Sequence, residues 1–242
     1  MNSHAVTAAI PLREEDVTAS WLSAALSTPE AETRVRTAQH DQLVRGAGTK
    51  LRIRVDYEHN PRRLPDVLWV KAGWEEHSAH MEEMGVYARE ATFYKDFASL
   101  VAVRAPACYY VTQDAQGRSA MILEDLISRG AELWECTTPR SVDDVRSLLE
   151  GLAQIHALFW QDSRLPRLPG IGVPVDAIGP TAIWCRANGG ERLRTILEGP
   201  RGALMPAYAR NPQRTEKAFW RMVETLDRTN GRCLLHGDPH PG

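Results

Sequence analysis

Residues 34–57 read RVRTAQHDQLVRGAGTKLRIRVDY, and their alternation decides the fold class of the N-terminal half. Leu51, Ile53 and Val55 fall on one face and Arg52, Arg54 and Asp56 on the other, which predicts a half-buried strand. Gly46 and Gly48, within Gly-Ala-Gly-Thr-Lys-Leu, mark the turn that precedes it. Backbone N–H groups of such a turn can approach phosphates. A hairpin needs glycine in any case, and Leu51 stands where a fuller glycine pattern would have its third glycine. Beyond the turn-rich HNPRRLPD lies VLWVKAG, residues 67–73, an apolar run of strand length interrupted only by Lys71. On the N-terminal side, Val17, Trp21, Leu22, Ala25 and Leu26 recur at three and four. With Asp16 or Thr18 as cap, they predict a short amphipathic helix ending near Pro29.

Toward the C-terminus the period becomes helical over 82–100, with a stripe of Tyr87, Ala91, Tyr94 and Ala98 and with Glu90 beside it. CYYVTQDAQGRSAMIL, residues 108–123, predicts two strands joined by a turn at Asp114 to Gly117. Glu124, Asp125 and Leu126, followed by Ser-Arg-Gly, form a polar connector. Ser141 with Asp144 three residues later resembles a capping box. It opens a helix over 141–160 whose expected buried stripe is Val142, Val145, Leu148, Leu149, Leu152, Ile155 and Phe159. A loop rich in Pro and Gly follows, then helices around 190–198 and 212–228, and finally RCLLHGDPHPG. No internal repeat or low-complexity tract is present.

A chain of 242 residues with 43% hydrophobic and 25% charged residues and a net charge of -2 has the make-up of a globular protein with a substantial core. The near-neutral charge argues against nucleic acid as a partner. The longest stretch without Asp, Glu, Lys or Arg is Val17–Pro29, 13 residues, against roughly 20 needed to span a bilayer. MNSHAVTAAIPLREED has no basic leader, so a cytoplasmic location is expected. Cys108, Cys136, Cys185 and Cys233 contain no Cys-x-x-Cys pair and read as free buried thiols.

Chemistry concentrates in His236-Gly237-Asp238-Pro239-His240. Asp238 and the histidines could simply cap and turn the chain. Two functional readings stand beside that one. Asp238 could accept the proton of a substrate hydroxyl as it attacks a nucleotide's terminal phosphate, with His236 supporting the loop. Alternatively, His236, Asp238 and His240 could hold zinc and activate water, as in a hydrolase. That reading is weaker, because no second compact His/Cys/Asp cluster lies upstream. Lys71 has an ordinary reading as a strand-end residue whose stem packs while its ammonium reaches water. However, only four of 29 basic residues are Lys, so a Lys on a buried strand points to a compact charge for phosphate, and such a Lys needs a partner. Glu90 is the natural one, although a solvated helix residue is the simpler reading of it. His156, between Ile155 and Phe159, reads as a core histidine.

The order of these parts, a glycine turn, Lys on the third strand, Glu on the next helix, a hairpin, an acidic connector, helices and His-Gly-Asp, resembles the two-lobed protein-kinase-like fold. VLWVKAG, YAREATFYKDF, RAPACYYV, MILEDL, LAQIHALFW and LLHGDPHPG together resemble the aminoglycoside phosphotransferase and choline kinase superfamily, especially its ecdysteroid-kinase-like branch. The resemblance runs over residues 34–242. It implies an α+β fold with an antiparallel sheet and helix in the N-lobe and a mostly helical, incomplete C-lobe. The implied divisions are an N-terminal helical extension at 1–33, an N-lobe at 34–123, a hinge at 124–130 and a partial C-lobe at 131–242. The implied reaction moves the terminal phosphate of ATP or GTP to a hydroxyl of a small molecule, with Mg²⁺. Asp238 would be the catalytic base, Lys71 would contact the phosphates and Glu90 would hold Lys71. Gly46 and Gly48 would cover the phosphates, and the backbone of Glu124, Asp125 and Leu126 would hold the adenine. His236 and His240 would fix the loop. The family's loop continues to an Asn, and a later Asp binds the principal metal. The chain stops at Gly242 before either, so the expectation is a truncated product with little or no activity, or a non-catalytic nucleotide-binding module.

Overall fold

A computed structural model describes residues 8–133, 138–165, 190–228, 231–237 and 239. By compactness the chain divides into one unit of residues 1–154 with 239–242 and a second of residues 155–238.

The first unit is built on five antiparallel strands: β1 (Arg34–Val44), β2 (Thr49–His59), β3 (Val67–Ala72), β4 (Cys108–Gln113) and β5 (Ser119–Glu124), in the order β1-β2-β3-β5-β4. The alternation read in β2 is realised, with Leu51, Ile53 and Val55 buried. They pack with Leu68 and Val70 of β3 and Ile122 of β5. Helix α1 (Ala19–Leu26) closes this face with Leu22, Ala25 and Leu26. Thr18 is its N-cap, its hydroxyl accepting from the Trp21 N–H at 3.2 Å. The same helix protects an open sheet edge. The Ser23 hydroxyl accepts from the Val35 N–H of edge strand β1 at 2.9 Å, satisfying a donor that would otherwise invite pairing.

The helical stretch expected over 82–100 differs in form. Helix α2 (Ser78–Glu83) begins earlier, Gly85 takes a φ of +68° that an L side chain resists, and α3 (Val86–Thr92) starts anew. A π-turn over Phe93–Phe97 follows, in which the Ala98 N–H reaches the Phe93 carbonyl at 2.8 Å. Its wider spacing brings Thr92 and Phe97, five residues apart, into the interior together. Tyr87 and Ala91 are buried as the stripe required, and Tyr94 and Ala98 are half-buried.

Helix α4 (Val142–Leu158) opens with the expected capping box. The Ser141 N–H donates to Asp144 at 3.1 Å, and the Asp144 N–H donates back to the Ser141 hydroxyl at 3.1 Å. Its stripe corrects the sequence expectation. Val142, Val145, Leu148 and Leu149 are exposed, Leu152 and Ile155 half-buried, and only Phe159, just past the helix, is fully buried. Periodicity names the face that a partner must cover; it does not place that partner among the described residues. The second unit contains α5 (Glu191–Glu198), α6 (Pro200–Ala203) and α7 (Pro212–Asp227). Residues 231–236 have no regular structure. They are held locally, by the Gln161 N–H donating to the Arg232 carbonyl at 2.7 Å. Among the described residues, no helix is long and apolar enough to cross a membrane. Cys108 and Cys233 are free and half-buried, and burial raises both thiol pKa values, that of Cys108 to about 11.

Candidate functional site

Lys71 comes to its position through strand alternation. Leu68, Val70 and Ala72 of β3 are buried, while Trp69 and Lys71 take the intervening, half-exposed places. From α3, Glu90 meets the ammonium squarely: Lys71 Nζ donates to both Oε1 and Oε2 of Glu90 at 2.7 Å each. Both side chains are only partly covered, at 23% and 29% exposed. A partly solvated, bidentate pair fixes the ammonium without consuming its third N–H, which leaves it able to meet a further anion.

The glycine turn comes down on the same pair. A β-carbon on Gly48 would sit 3.0 Å from Lys71 Cε and 3.6 Å from the Tyr87 ring, so the absence of a side chain there lets the turn rest on Lys71. Gly46 differs, since a β-carbon would meet only the Gly48 carbonyl, at 3.9 Å. The carbonyls of Gly46 and Ala47 are both occupied. His77 Nε2 donates to the Gly46 carbonyl at 3.0 Å, and the Tyr87 hydroxyl donates to that of Ala47. The end of the turn is strapped as well. Glu75 accepts from Thr49 Oγ1 at 2.6 Å and from Arg45 at 3.0 Å, and these two bonds, Thr49 first, lower its pKa. Lys71, Glu90 and Gly48 are therefore brought together, and Gly46 lies at the outer end of the turn.

Sequence reasoning missed Tyr87 and Gly73 as parts of this assembly. A β-carbon on Gly73 would lie 2.5 Å from Tyr87 Cε2, so the ring that holds the turn is seated on that glycine. Gly73→Ala is expected to cost about 1–3 kcal/mol through this overlap. Gly46→Ala should stay within about 0.5 kcal/mol of the parent. Urea denaturation of the two variants measures the contrast.

At the connector, the side chains do more than the sequence indicated. Asp125 is 3% exposed and accepts from Arg52 Nη2 at 2.7 Å, Trp69 Nε1 at 2.9 Å and Ser128 Oγ at 2.6 Å. Burial alone would raise its pKa, but these three donors outweigh burial and hold it at about 2. Arg52 and Trp69 are opposite each other in the β2–β3 register, so one carboxylate ties two strands to the connector. Glu124 accepts from the Ala107 N–H at 3.0 Å and pairs with Arg129 at 3.0 Å. The Leu126 carbonyl accepts from the N–H groups of Arg129 and Ala131. The signal that could have revealed the Asp125 network is the pairing of an Arg and a Trp, both with donors to satisfy, on one sheet face.

Gly237 adopts a φ of +87° beside an exposed His236, so the chain turns at the residue before Asp238. Asp238 and His240 lie outside the described residues, and with them the zinc reading. Among the described residues, no group of three His, Cys, Asp or Glu side chains could hold a metal ion.

Residues 47–160 match the sequence model of the ecdysteroid kinase-like family. That stretch contains Gly48, Lys71, Glu90, the connector and α4; Gly46 lies one residue before it and Asp238 beyond it. Over this length the chain is similar to a kinase-like family, and its five-stranded antiparallel sheet with helices is consistent with a kinase-like N-lobe. Comparison with curated proteins and with solved structures finds no match.

Proposed function

We propose that the protein is a phosphotransferase of two-lobed, kinase-like architecture that moves the terminal phosphate of ATP or GTP to a hydroxyl of a small molecule. The observation that carries this reading is the bidentate Lys71–Glu90 pair lying directly beneath Gly48, inside the stretch that matches the family. In this reading Lys71 presents its remaining N–H to the nucleotide's phosphates, and Glu90 keeps the ammonium charged and aimed. Gly48 lets the turn backbone approach the same phosphates, and the Glu124 to Leu126 backbone receives the base. Asp238 accepts the proton of the attacking hydroxyl. The third Lys71 donor suits a phosphate chain. Mg²⁺ would neutralise phosphate charge; the described residues do not gather a group of three ligands for it.

The test is titration of the purified protein with ATP and GTP in Mg²⁺, followed by an assay for labelled phosphate transferred to a panel of aminoglycosides, amino alcohols, steroids and sugars. Lys71→Ala should weaken nucleotide binding about 10- to 100-fold, the loss of one charge-assisted contact. Part of that loss comes from the Glu90 carboxylate left facing the phosphates, so Lys71→Ala/Glu90→Gln should bind better than Lys71→Ala alone. Nucleotide bound equally by Lys71→Ala would overturn the assignment. Binding without transfer to any acceptor would leave a nucleotide-binding module in place of an enzyme.

A further inference from the structure

Two of the chain's four lysines face each other. Lys50 of β2 is directly opposite Lys71 of β3 in the antiparallel register. Like charges directly opposed across strands are unfavourable, so the pairing calls for a reason. The neighbouring cation on β2 has its carboxylates: Arg52 pairs with Asp41 at 2.5 Å and Asp125 at 2.7 Å. Lys71 has Glu90. Lys50 is exposed and has no ion pair among the described residues, and the Glu90 carboxylate is paired with Lys71. An excess of positive charge therefore stands beside the turn that contains Gly48.

We infer that Lys50 and Lys71 together form a clamp for a polyphosphate chain, with Lys50 a second phosphate-binding residue; this rests on the phosphate role proposed for Lys71. Side chains leaving directly opposed positions start about 5 Å apart. Two flexible ammonium groups from such positions can hold successive phosphates of one chain, whereas a single phosphate group engages one of them. The ligand class is a di- or triphosphate, and Lys50 makes the site prefer it over a monophosphate. A bound polyphosphate also supplies the negative charge that the opposed lysines lack.

The test compares the parent, Lys50→Gln, Lys50→Arg and Lys71→Ala by calorimetric titration at low ionic strength with inorganic tripolyphosphate, ATP and AMP. Lys50→Gln should weaken tripolyphosphate and ATP about three- to tenfold, the effect of one partly screened charge. It should leave AMP within about twofold, and Lys50→Arg should stay close to the parent. The melting temperature of Lys50→Gln should equal or exceed the parent's, because a repulsion has been removed. A Lys50→Gln protein that melts several degrees lower would overturn the unfavourable pairing on which the inference stands. If the parent binds tripolyphosphate, Lys71→Ala weakens it and Lys50→Gln does not, the clamp is wrong and the phosphate role of Lys71 survives. If the parent binds neither tripolyphosphate nor ATP, both fall together.

Discussion

Asp125→Ala is expected to destabilise the protein by about 3–5 kcal/mol, the usual consequence of removing one member of a buried ion pair. The side chain of Asp125 is 1% exposed, so water cannot replace it readily. Its removal strands the Trp69 indole N–H and one Arg52 nitrogen, and Arg52 Nε is already buried without a partner among the described residues. Asp41 remains on the other side of Arg52, which keeps the loss below that of a fully orphaned charge. Against a typical total of about 5–15 kcal/mol, the change would shift the urea midpoint strongly. The same carboxylate gives a signed acid dependence. Its folded pKa, about 2, lies below the ordinary 3.8, so its stabilisation is present above pH 3.8 and is lost as the pH falls through about 2. That shift corresponds to about 2 kcal/mol. Asp125→Ala should therefore lose less stability than the parent between pH 5 and pH 2. An equal loss in both, or a destabilisation under about 1 kcal/mol, would show that the network is incidental.

The sheet was legible because its signal is local. Leu51, Ile53 and Val55 against Arg52, Arg54 and Asp56 can take only one registration with a single buried face, and a slip of one residue would bury the charges. The helix caps were legible for the same reason, since Thr18 and Ser141 act within three residues. What depends on distant partners was not. Phe97 is buried because a π-turn changes the spacing after Thr92, and no 3.6-residue template anticipates that. Gly85 interrupts the helix through a backbone angle that a tolerated helical glycine does not announce. The apolar stripe of α4 is correct as a pattern and wrong as a map of burial, because exposure is a property of what lies across from Val142, Val145 and Leu149.

The candidate site divides in the same way. The Lys71–Glu90 pairing could be anticipated from cost, since a lysine on a strand flanked by buried residues has few ways to remain charged, and the next helix offered one carboxylate on the facing side. The roles of Tyr87 and Gly73 required three-dimensional contact. Tyr87 looked like one more member of a helical stripe, yet its hydroxyl crosses to Ala47, 40 residues away in sequence. The resemblance gave Asp125 a role only through its backbone, as part of the connector that would hold the adenine. Its burial follows from the Arg52–Trp69 pairing, which local spacing does not reveal.

Asp238→Asn is expected to lower phosphate transfer by about 10²- to 10⁴-fold, the span that a positioned general base contributes. The exchange keeps the shape of the side chain and its carbonyl oxygen. It removes the group that can take a proton, because an amide is not basic at neutral pH. In the proposed reaction the carboxylate takes the acceptor's proton, while Lys71 and the Gly48 turn bind the phosphates. Nucleotide affinity should therefore change by less than about threefold while transfer collapses. The backbone supplies a control for folding. Gly237 holds φ at +87°, and a β-carbon added there would meet nothing within 4 Å among the described residues, so Gly237→Ala introduces backbone strain of about 1 kcal/mol. If Gly237→Ala and Asp238→Asn reduced transfer equally, the loop's shape and not its carboxylate would be the determinant. If Asp238→Asn transferred phosphate at the parent rate, the proton would leave the hydroxyl by another route, and Asp238 would return to the plainer role of turning the chain.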